Sequence, residues 1–389
     1  MGDLEDGDCR EAAAAPEEEA AAPAPEPAVG GADHLVIMVH GIVGSTADWK
    51  FGAEQFHKLL EGRVIVHCSS SNMHKLTLDG IDVMGERLAQ EVSFSLCILH
   101  FSSSFLRFMS SFPQFNDKNL ASQVIEEINK RPQITKISFV AHSVGGLVAR
   151  YAIGRLYRPP RQALANCPQS LRDSNRGNIH GLEAVNFITV ASPHLGSRGN
   201  KQVPFLFGVT AIEKFACCII HLIFRRTGKH LFLTDNDDGK PPLLQRMVDD
   251  SGDLRFISAL QAFQRRVAYS NVGYDHIVGW RTSSIRGASE LPKWVDSTSK
   301  IYPHIVYEEL SKAESLDQCA DVADMDKDNC TLEERLLRGL KRVSWEKVDV
   351  SFHNSKARSA AHSVIQVKDP VMHSEGADVI KHMIDHFVA

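Results

Sequence analysis

The stretch from Val140 to Leu147 constrains the fold of this chain more than any other, because it places a serine between a strand and a helix. It reads Val-Ala-His-Ser-Val-Gly-Gly-Leu, with Ser143 in the middle. The residues before it are typical of a buried strand, and those after it have helical spacing. In such a nucleophile elbow, small residues two positions away avoid the neighbouring backbone. Ala141 and Gly145 hold those positions, so Ser143 is predicted to lie at the carboxyl end of a strand.

Apolar runs and amphipathic segments alternate along the rest of the chain. The continuous apolar run over 35–39 is typical of a strand buried on both faces of a parallel sheet. Further strands are predicted at 63–68, 137–140, 185–190, 266–272 and 363–367. Helices are predicted at 49–60, 79–92, 120–130, 147–153 and 376–388. This order predicts an α/β fold, a mostly parallel central sheet flanked by helices.

Composition divides the chain into a tail and one domain. Residues 1–32 are acidic and rich in Ala, Pro and Glu, which predicts a disordered tail. Residues 33–389 are predicted to form the folded domain, with an atypical Ser- and Phe-rich insertion at 93–116. A cap is predicted at about 197–260, because the segment 203–224 is strongly apolar. That segment has two interpretations, an apolar helical cap that accepts an acyl chain and a part of the core.

Charge and cysteine usage exclude several classes of protein. The formal net charge is −5, which gives no reason to expect a nucleic-acid partner. The eight cysteines include no C-x-x-C pair, so neither a metal site nor a disulfide framework is predicted, and no cofactor is expected. The N-terminal residues resemble neither a signal nor a transit peptide, and no run is long enough for a membrane span. A cytoplasmic location is therefore expected. The basic residues Arg225, Arg226 and Lys229 beside the apolar segment suggest peripheral membrane contact, although so small a cluster is more often simply solvated.

The residues after the 266–272 strand supply the candidate acid. A serine hydroxyl is hardly ionised at neutral pH, so it needs a histidine base and a carboxylate that orients the histidine. In enzymes built on a strand-to-helix serine turn, the acid and then the histidine follow the serine along the chain. Asp275 fits the acid position. The weaker alternatives are Asp235, Asp237, Asp238 and Asp253.

The candidate base is His373, which follows the predicted last strand at 363–367. His362 precedes that strand, so it is expected at the wrong end of the sheet, and His353 lies earlier still. His382 and His386 are one helical turn apart, but no third ligand accompanies them, so a solvated helix face explains them better than a metal pair. The predicted triad is Ser143, Asp275 and His373.

Two backbone amides are candidates for binding the oxyanion of the tetrahedral intermediate. One is the Val144 N–H, directly after the nucleophile, and the other is the Ile42 N–H in the loop after the first strand. The residues predicted to line or support the substrate site are His40, Gly41, His142, His194, Phe205 and Phe207. His40 and His142 are equally compatible with structural roles, and a direct catalytic role for His194 is not expected.

With these motifs, the chain resembles the putative serine esterase family of eukaryotic lipase-like α/β-hydrolases, particularly its plant members. The stretches that carry the resemblance are 39–41, 139–147, 191–197, 274–283 and 372–374. The resemblance implies an α/β-hydrolase fold and acyl-ester hydrolysis with the triad at Ser143, Asp275 and His373. The segment 93–115 departs from the family, in which the preceding helix continues almost directly into the equivalent of 125–128.

Three hypotheses about function follow from this reading. The first is a metal-independent serine esterase or lipase that cleaves carboxylic esters, with lipid acyl esters as substrates, through an acyl-enzyme. The second is a lipid-binding or scaffolding module on the same fold with little turnover. The third is an acyltransferase that uses the same triad with an alcohol other than water as acceptor. Labelling of Ser143 by a fluorophosphonate separates the second hypothesis from the other two.

Overall fold

The computed structural model describes residues 32–109, 134–160, 176–197, 224–236, 239–293, 299–314 and 331–389. The strands within these ranges are β1 (His34–Val39), β2 (Val64–Cys68), β3 (Lys136–His142), β4 (Tyr157–Arg158), β5 (Asn178–Ile179), β6 (Glu183–Val190), β7 (Asp250–Ser251), β8 (Leu254–Arg255), β9 (Arg265–Asn271), β10 (Ile305–Ser311) and β11 (Trp345–Val350). The helices are α1 (Lys50–Leu59), α2 (Ile81–Met109), α3 (Val144–Leu156), α4 (Leu243–Arg246), α5 (Phe256–Ala262), α6 (Trp280–Ser283), α7 (Leu332–Leu340), α8 (Ala361–Val364) and α9 (Ala377–Asp385). A further helical segment covers 224–231.

Seven strands form one sheet in the order β10-β11-β9-β6-β3-β1-β2. Every neighbouring pair in it is parallel except β10 with β11, as the alternation of strands and helices predicted. The register pairs Val39 with Ala141 and His142 with Val190, so β1, β3 and β6 end side by side. Loops that follow these strands therefore meet at one edge of the sheet.

The core has two layers, one on each face of the sheet. All six residues of β1 are buried, and successive side chains point to opposite faces. Leu35 and Ile37 belong to the layer under α2, α3 and α5, whereas Val36 and Met38 belong to the layer under α1, α8 and α9. Burial on both faces is the reason that the parallel strands read as continuous apolar runs.

The helix that begins at Ile81 is longer than predicted. It was expected to end near Val92, before a segment without regular structure, but α2 continues to Met109. The interruption of its apolar stripe by serines weakened the helical pattern there, yet it did not end the helix. The predicted helix at 120–130 lies outside the described residues.

The predicted last strand at 363–367 is wrong. Residues 361–364 form the short helix α8, and a turn follows it. Val364, Ile365 and Val367 are fully buried, and a short buried apolar run has the same pattern in a strand and in a helical turn. The sheet instead ends with β10 and β11, two strands that the sequence analysis did not predict.

Only part of the predicted cap lies in the described residues. Within that part, Leu243, Leu244, Met247 and Phe256 are buried in the core layer under α2, α3 and α5. Residues 203–223, with Phe205 and Phe207, lie outside the described ranges. Across the ranges that the structure does describe, no helix combines the length and apolar character needed to cross a membrane.

Candidate active site

Ser143 lies in a sharp turn between β3 and α3, as the motif predicted. Its backbone has φ 55° and ψ −132°, a conformation that residues other than glycine rarely adopt. Such strain costs on the order of 1–3 kcal/mol and persists only where the surroundings hold it. Here the Ser143 N–H donates to the Val190 carbonyl at 2.9 Å, and the Ser143 carbonyl accepts from the Gly146 N–H at 3.0 Å.

The small residues of the motif permit close backbone approach. A Cβ atom on Gly145 would lie 2.5 Å from the carbonyl oxygen of His40, so the start of α3 rests directly on the end of β1. A Cβ atom on Gly41 would lie 2.9 Å from the Ser143 Cβ. The loop after β1 therefore presses against the serine.

The histidine that contacts the serine is His362. Its Nε2 lies 2.9 Å from the Ser143 Oγ, and its Nδ1 lies 2.9 Å from the Asp275 Oδ2. Because a carboxylate can only accept, Nδ1 carries the proton and donates it to Asp275. Nε2 is then the free acceptor for the Ser143 hydroxyl proton. The three side chains form one continuous hydrogen-bonded chain.

Asp275 is held as a buried carboxylate with four hydrogen bonds. Its Oδ1 accepts from the backbone N–H groups of Ile277 at 3.0 Å and Val278 at 2.8 Å. Its Oδ2 accepts from the Asn271 side-chain amide at 2.9 Å and from His362. Burial alone would raise the pKa of this carboxyl. The charge and hydrogen bond of His362, with the Val278 and Asn271 donors, outweigh burial and hold the pKa below its usual range.

The prediction that His373 stands beside Ser143 is wrong. The His373 Nδ1 accepts the backbone N–H of Asp369 at 3.0 Å, and the His373 N–H donates to the Asp369 carbonyl at 2.9 Å. This histidine closes a turn eleven residues after His362. The reason for the error is topological: β11 is the last parallel strand, and His362 lies in the connection that follows it.

The loop after β1 forms a tight turn next to Ser143. The Gly44 N–H donates to the Gly41 carbonyl at 3.1 Å, which places Ile42 and Val43 at the centre of the turn. On the other side of the serine, the Val144 N–H is the first amide of α3, a position without an intrahelical acceptor. Both predicted oxyanion donors thus belong to backbone segments that adjoin Ser143.

Two of the predicted rim histidines lie beneath the site. His40 is 4% exposed, and its Nδ1–H donates to the Gly41 carbonyl at 3.0 Å. Because C=O and N–H point in opposite directions across a trans peptide, this bond also orients the Ile42 N–H. Burial lowers the pKa of His40, which favours the neutral ring. Gly41 itself is buried.

His142 binds the backbone of His362. Its Nε2–H donates to the His362 carbonyl at 2.7 Å, and the two rings lie 4.6 Å apart. Burial, followed by the charge of His362, lowers the pKa of His142 well below its usual range. His142 is therefore a neutral donor that supports the loop of His362.

His194 is fully buried, so it supports the edge of the sheet and does not line a substrate surface. Its Nε2 lies 2.9 Å from the Thr189 Oγ1, and its carbonyl accepts from Arg150 at 3.4 Å. Burial lowers the pKa of Arg150 to about 9. Within the described ranges, no group of three or more His, Cys, Asp or Glu side chains is arranged to hold a metal ion.

Sequence reasoning missed His362 and Asn271. The signal for His362 was available in the alternation of Val348, Val350 and Phe352, which marks β11 as a strand before the histidine. Asn271, at the end of β9 and four residues before Asp275, had no pattern to distinguish it.

A mostly parallel sheet with helices on both faces, a serine at the turn after a central strand and an aspartate–histidine pair at the same edge define an α/β-hydrolase. The chain belongs to the family described as Putative serine esterase (DUF676), which matches residues 31–100 and 114–285. The matched residues include Ser143 and Asp275 and end before His362.

Curated relatives are fungal proteins. The chain is 26% identical over 262 residues to putative lipase C4A8.10 of Schizosaccharomyces pombe. That alignment covers 66% of this chain and 26% of the relative. The chain is 30% identical over 173 residues to putative lipase YDL109C of Saccharomyces cerevisiae, covering 44% of this chain and 22% of the relative. The alignments thus span about a quarter of the length of these relatives. Among solved structures, the mature Bacillus licheniformis lipase BlEst2 shares 14% identity with a TM-score of 0.31, over 65% of this chain and 71% of that chain.

Proposed function

We propose that this protein is a serine hydrolase that cleaves carboxylic esters, with Ser143 as nucleophile, His362 as general base and acid, and Asp275 as the group that orients the histidine. The observation that carries the proposal is the hydrogen-bonded chain from the Ser143 Oγ through both ring nitrogens of His362 to Asp275. A serine hydroxyl, an imidazole and a buried carboxylate in this order are the components of acyl transfer through a covalent intermediate.

In the acylation step, the Ser143 Oγ attacks the ester carbonyl carbon while His362 Nε2 takes the hydroxyl proton. The carbonyl oxygen becomes an oxyanion, and the Ile42 and Val144 N–H groups are its proposed donors. The C–O bond to the alcohol then breaks, and the alcohol leaves with the proton that His362 returns. Asp275 stabilises the imidazolium between these two proton transfers.

Deacylation repeats the sequence with water. His362 removes a proton from a water molecule that attacks the acyl carbon, and the carboxylic acid leaves as the proton returns to the Ser143 Oγ. Each proton is passed through Nε2, because Nδ1 remains bonded to Asp275. The histidine must therefore keep the tautomer that the Asp275 contact imposes.

The substrates that we propose are lipid acyl esters. Support for this class comes from the relatives, which are named putative lipases. A series of p-nitrophenyl esters of increasing chain length, with and without an emulsified triacylglycerol, measures the preference. Activity restricted to acetyl and butyryl esters would contradict the lipid assignment while leaving ester hydrolysis intact.

Fluorophosphonate labelling followed by intact mass measurement tests the nucleophile. We expect one adduct on the wild-type protein and none on Ser143→Ala. His362→Ala is expected to slow labelling and hydrolysis on the order of 10³-fold or more, whereas His373→Ala, the matched control, changes neither by more than about threefold. A folded wild-type protein without label would refute the proposal. Labelling without ester hydrolysis would instead support an acyltransferase.

A further inference from the structure

The turn after β1 contains a second strained residue. Val43 has φ 53°, and its side chain is β-branched, a combination that is a genuine outlier. Of the two central residues of the Gly41–Gly44 turn, only Val43 has a positive φ. This is the pattern of a type II turn, whose third position normally holds glycine or asparagine.

One side chain holds this conformation. The Val43 N–H donates to the Thr77 Oγ1 at 2.8 Å, and the Thr77 hydroxyl donates its own proton to the His74 carbonyl at 2.6 Å. Thr77 is 2% exposed. Because the hydroxyl proton is donated to His74, the Thr77 Oγ1 can act only as an acceptor towards Val43. A backbone N–H is therefore favoured next to it, and a backbone carbonyl is disfavoured.

Neighbouring contacts fix the position of Thr77. The His74 N–H donates to the Gly44 carbonyl at 2.8 Å, which joins the same two segments a second time. The Thr77 carbonyl accepts from the Thr227 hydroxyl at 2.7 Å, and the Thr227 Oγ1 accepts from the Gly80 N–H at 3.0 Å. The threonine is therefore an anchored element and not a freely rotating side chain.

The alternative to this turn is a type I turn, in which the third residue has a negative φ. Conversion rotates the peptide between Ile42 and Val43 by about half a turn, so its carbonyl exchanges sides with its N–H. That rotation relieves the strain at Val43, but it sets the Ile42 carbonyl against the Thr77 Oγ1. Two facing acceptors repel, so the Thr77 hydroxyl opposes the conversion.

We propose that Thr77 is a positioning residue: it holds the Gly41–Gly44 turn in its strained form and, by tethering the loop through the Val43 N–H, keeps the adjoining Gly41–Ile42 peptide, whose N–H is the proposed oxyanion donor, in its place beside Ser143. The inference rests on the proposed function, since it assigns Thr77 to the same site. Thr77 touches no reacting atom. It acts through Val43, and the strain at Val43 is the reason that a holding residue is required.

A double-mutant cycle tests the assignment. We expect Thr77→Val to lower kcat about tenfold or more with a smaller change in KM, because a misplaced oxyanion donor weakens binding of the transition state more than binding of the substrate. Thr77→Ser keeps the hydroxyl and should remain within about threefold of wild type. In a Val43→Gly background, where the turn is unstrained, Thr77→Val should change kcat by less than about threefold.

Hydrogen–deuterium exchange of peptides over residues 40–45 supplies a readout that does not depend on activity. Exchange of the Val43 amide should be slow in the wild type and at least about tenfold faster in Thr77→Val. An equal loss of kcat in both backgrounds, with folding verified by thermal unfolding, would overturn the positioning role, as would an unchanged kcat in Thr77→Val. If the wild-type protein fails to react with the fluorophosphonate, the proposed function fails, whatever the exchange result.

Discussion

The His142 Nε2–H donates to the carbonyl of His362 at 2.7 Å, so the residue before Ser143 binds the backbone of the histidine whose ring contacts the Ser143 hydroxyl. His142 thus binds the backbone of His362, and Ser143 contacts its ring. The contact joins the last residue of β3 to the connection after β11, 220 residues later in the sequence. The arrangement of the triad depends on a bond between two loops.

Removing the donor from His142 should impair catalysis without removing a member of the triad. We expect His142→Phe to lower kcat about tenfold, because one hydrogen bond that fixes the His362 loop is lost. His142→Gln, which restores a donor of similar reach, should recover most of the activity. The measurement is steady-state hydrolysis of a p-nitrophenyl ester, and a loss shared equally by the glutamine variant would argue against the bond as the cause.

The Asp275 carboxylate should be required for the correct tautomer of His362. Asp275→Asn keeps the size of the side chain, but its amide can donate to Nδ1 and so place the ring proton on Nε2. Loss of kcat on the order of 10³- to 10⁴-fold is expected, with an intact fold. The rate of fluorophosphonate labelling measures the loss of reactivity, and circular dichroism checks that the fold is intact. Asn271→Ala, which removes only one of the four hydrogen bonds to the carboxylate, should cost much less.

Glu91 should make the domain lose stability as the pH falls through the acid range. Burial would raise the pKa of this carboxyl, but hydrogen bonds from His67, Ser69, Ser70 and Ser71 lower it to about 2. The folded-state pKa is below the unfolded value of about 4.3, so the stabilisation is complete above that value and is lost as pH falls towards 2.

The test compares urea unfolding of wild type and Glu91→Gln between pH 7 and pH 3. We expect the variant to be less stable by about 2 kcal/mol at pH 7 and the difference to shrink at pH 3. Glu54→Gln, at an exposed position on α1, is the matched control and should leave the profile unchanged. A constant difference at both pH values would show that the charge of Glu91 is not responsible.

The Arg286–Asp349 pair should stabilise the segment that follows Asp275. Both side chains are fully buried, and the two carboxylate oxygens accept from the Arg286 Nη1 at 2.8 and 2.9 Å. Replacing only Arg286 leaves a buried carboxylate without its partner, so Arg286→Met should cost about 3–5 kcal/mol. The combined Arg286→Met and Asp349→Leu variant should lose less than the single variant. Chemical unfolding measures the stability of each variant. Arg281→Met, which removes the partly exposed ion pair with Glu333, is the control.

The positions of Ser143 and Asp275 were accessible from the sequence because their signals are local. Ser143 lies within a motif whose small residues are required by a tight turn, and Asp275 comes four residues after a buried strand with a clear apolar pattern. The parallel sheet was predictable for the same reason. Each of these inferences needs only the residues on either side.

The base could not be assigned in this way, because its assignment depends on counting strands over the whole chain. The buried run at 363–367 has the composition of a strand, whereas three charged residues stand among the apolar residues of β11, and the edge strand β10 is largely exposed or half-buried. Once the short helix α8 was read as the last strand, His373 followed it and His362 preceded it. A single misassigned element therefore displaced the predicted base by eleven residues from His362, the base that we propose.

Periodicity and residue size encode the strand-to-helix turn at Ser143, the parallel sheet and the candidate acid after β9 over short distances, so the sequence alone was enough to predict them. Which histidine meets the serine emerged only from the packing of the whole chain, as did the contacts of His142 and Thr77 with the surrounding loops. Contacts such as His142 with His362 join segments more than 200 residues apart. No local pattern carries the information for such a pair, because it arises only when the strands pack side by side and bring their carboxyl ends to one edge.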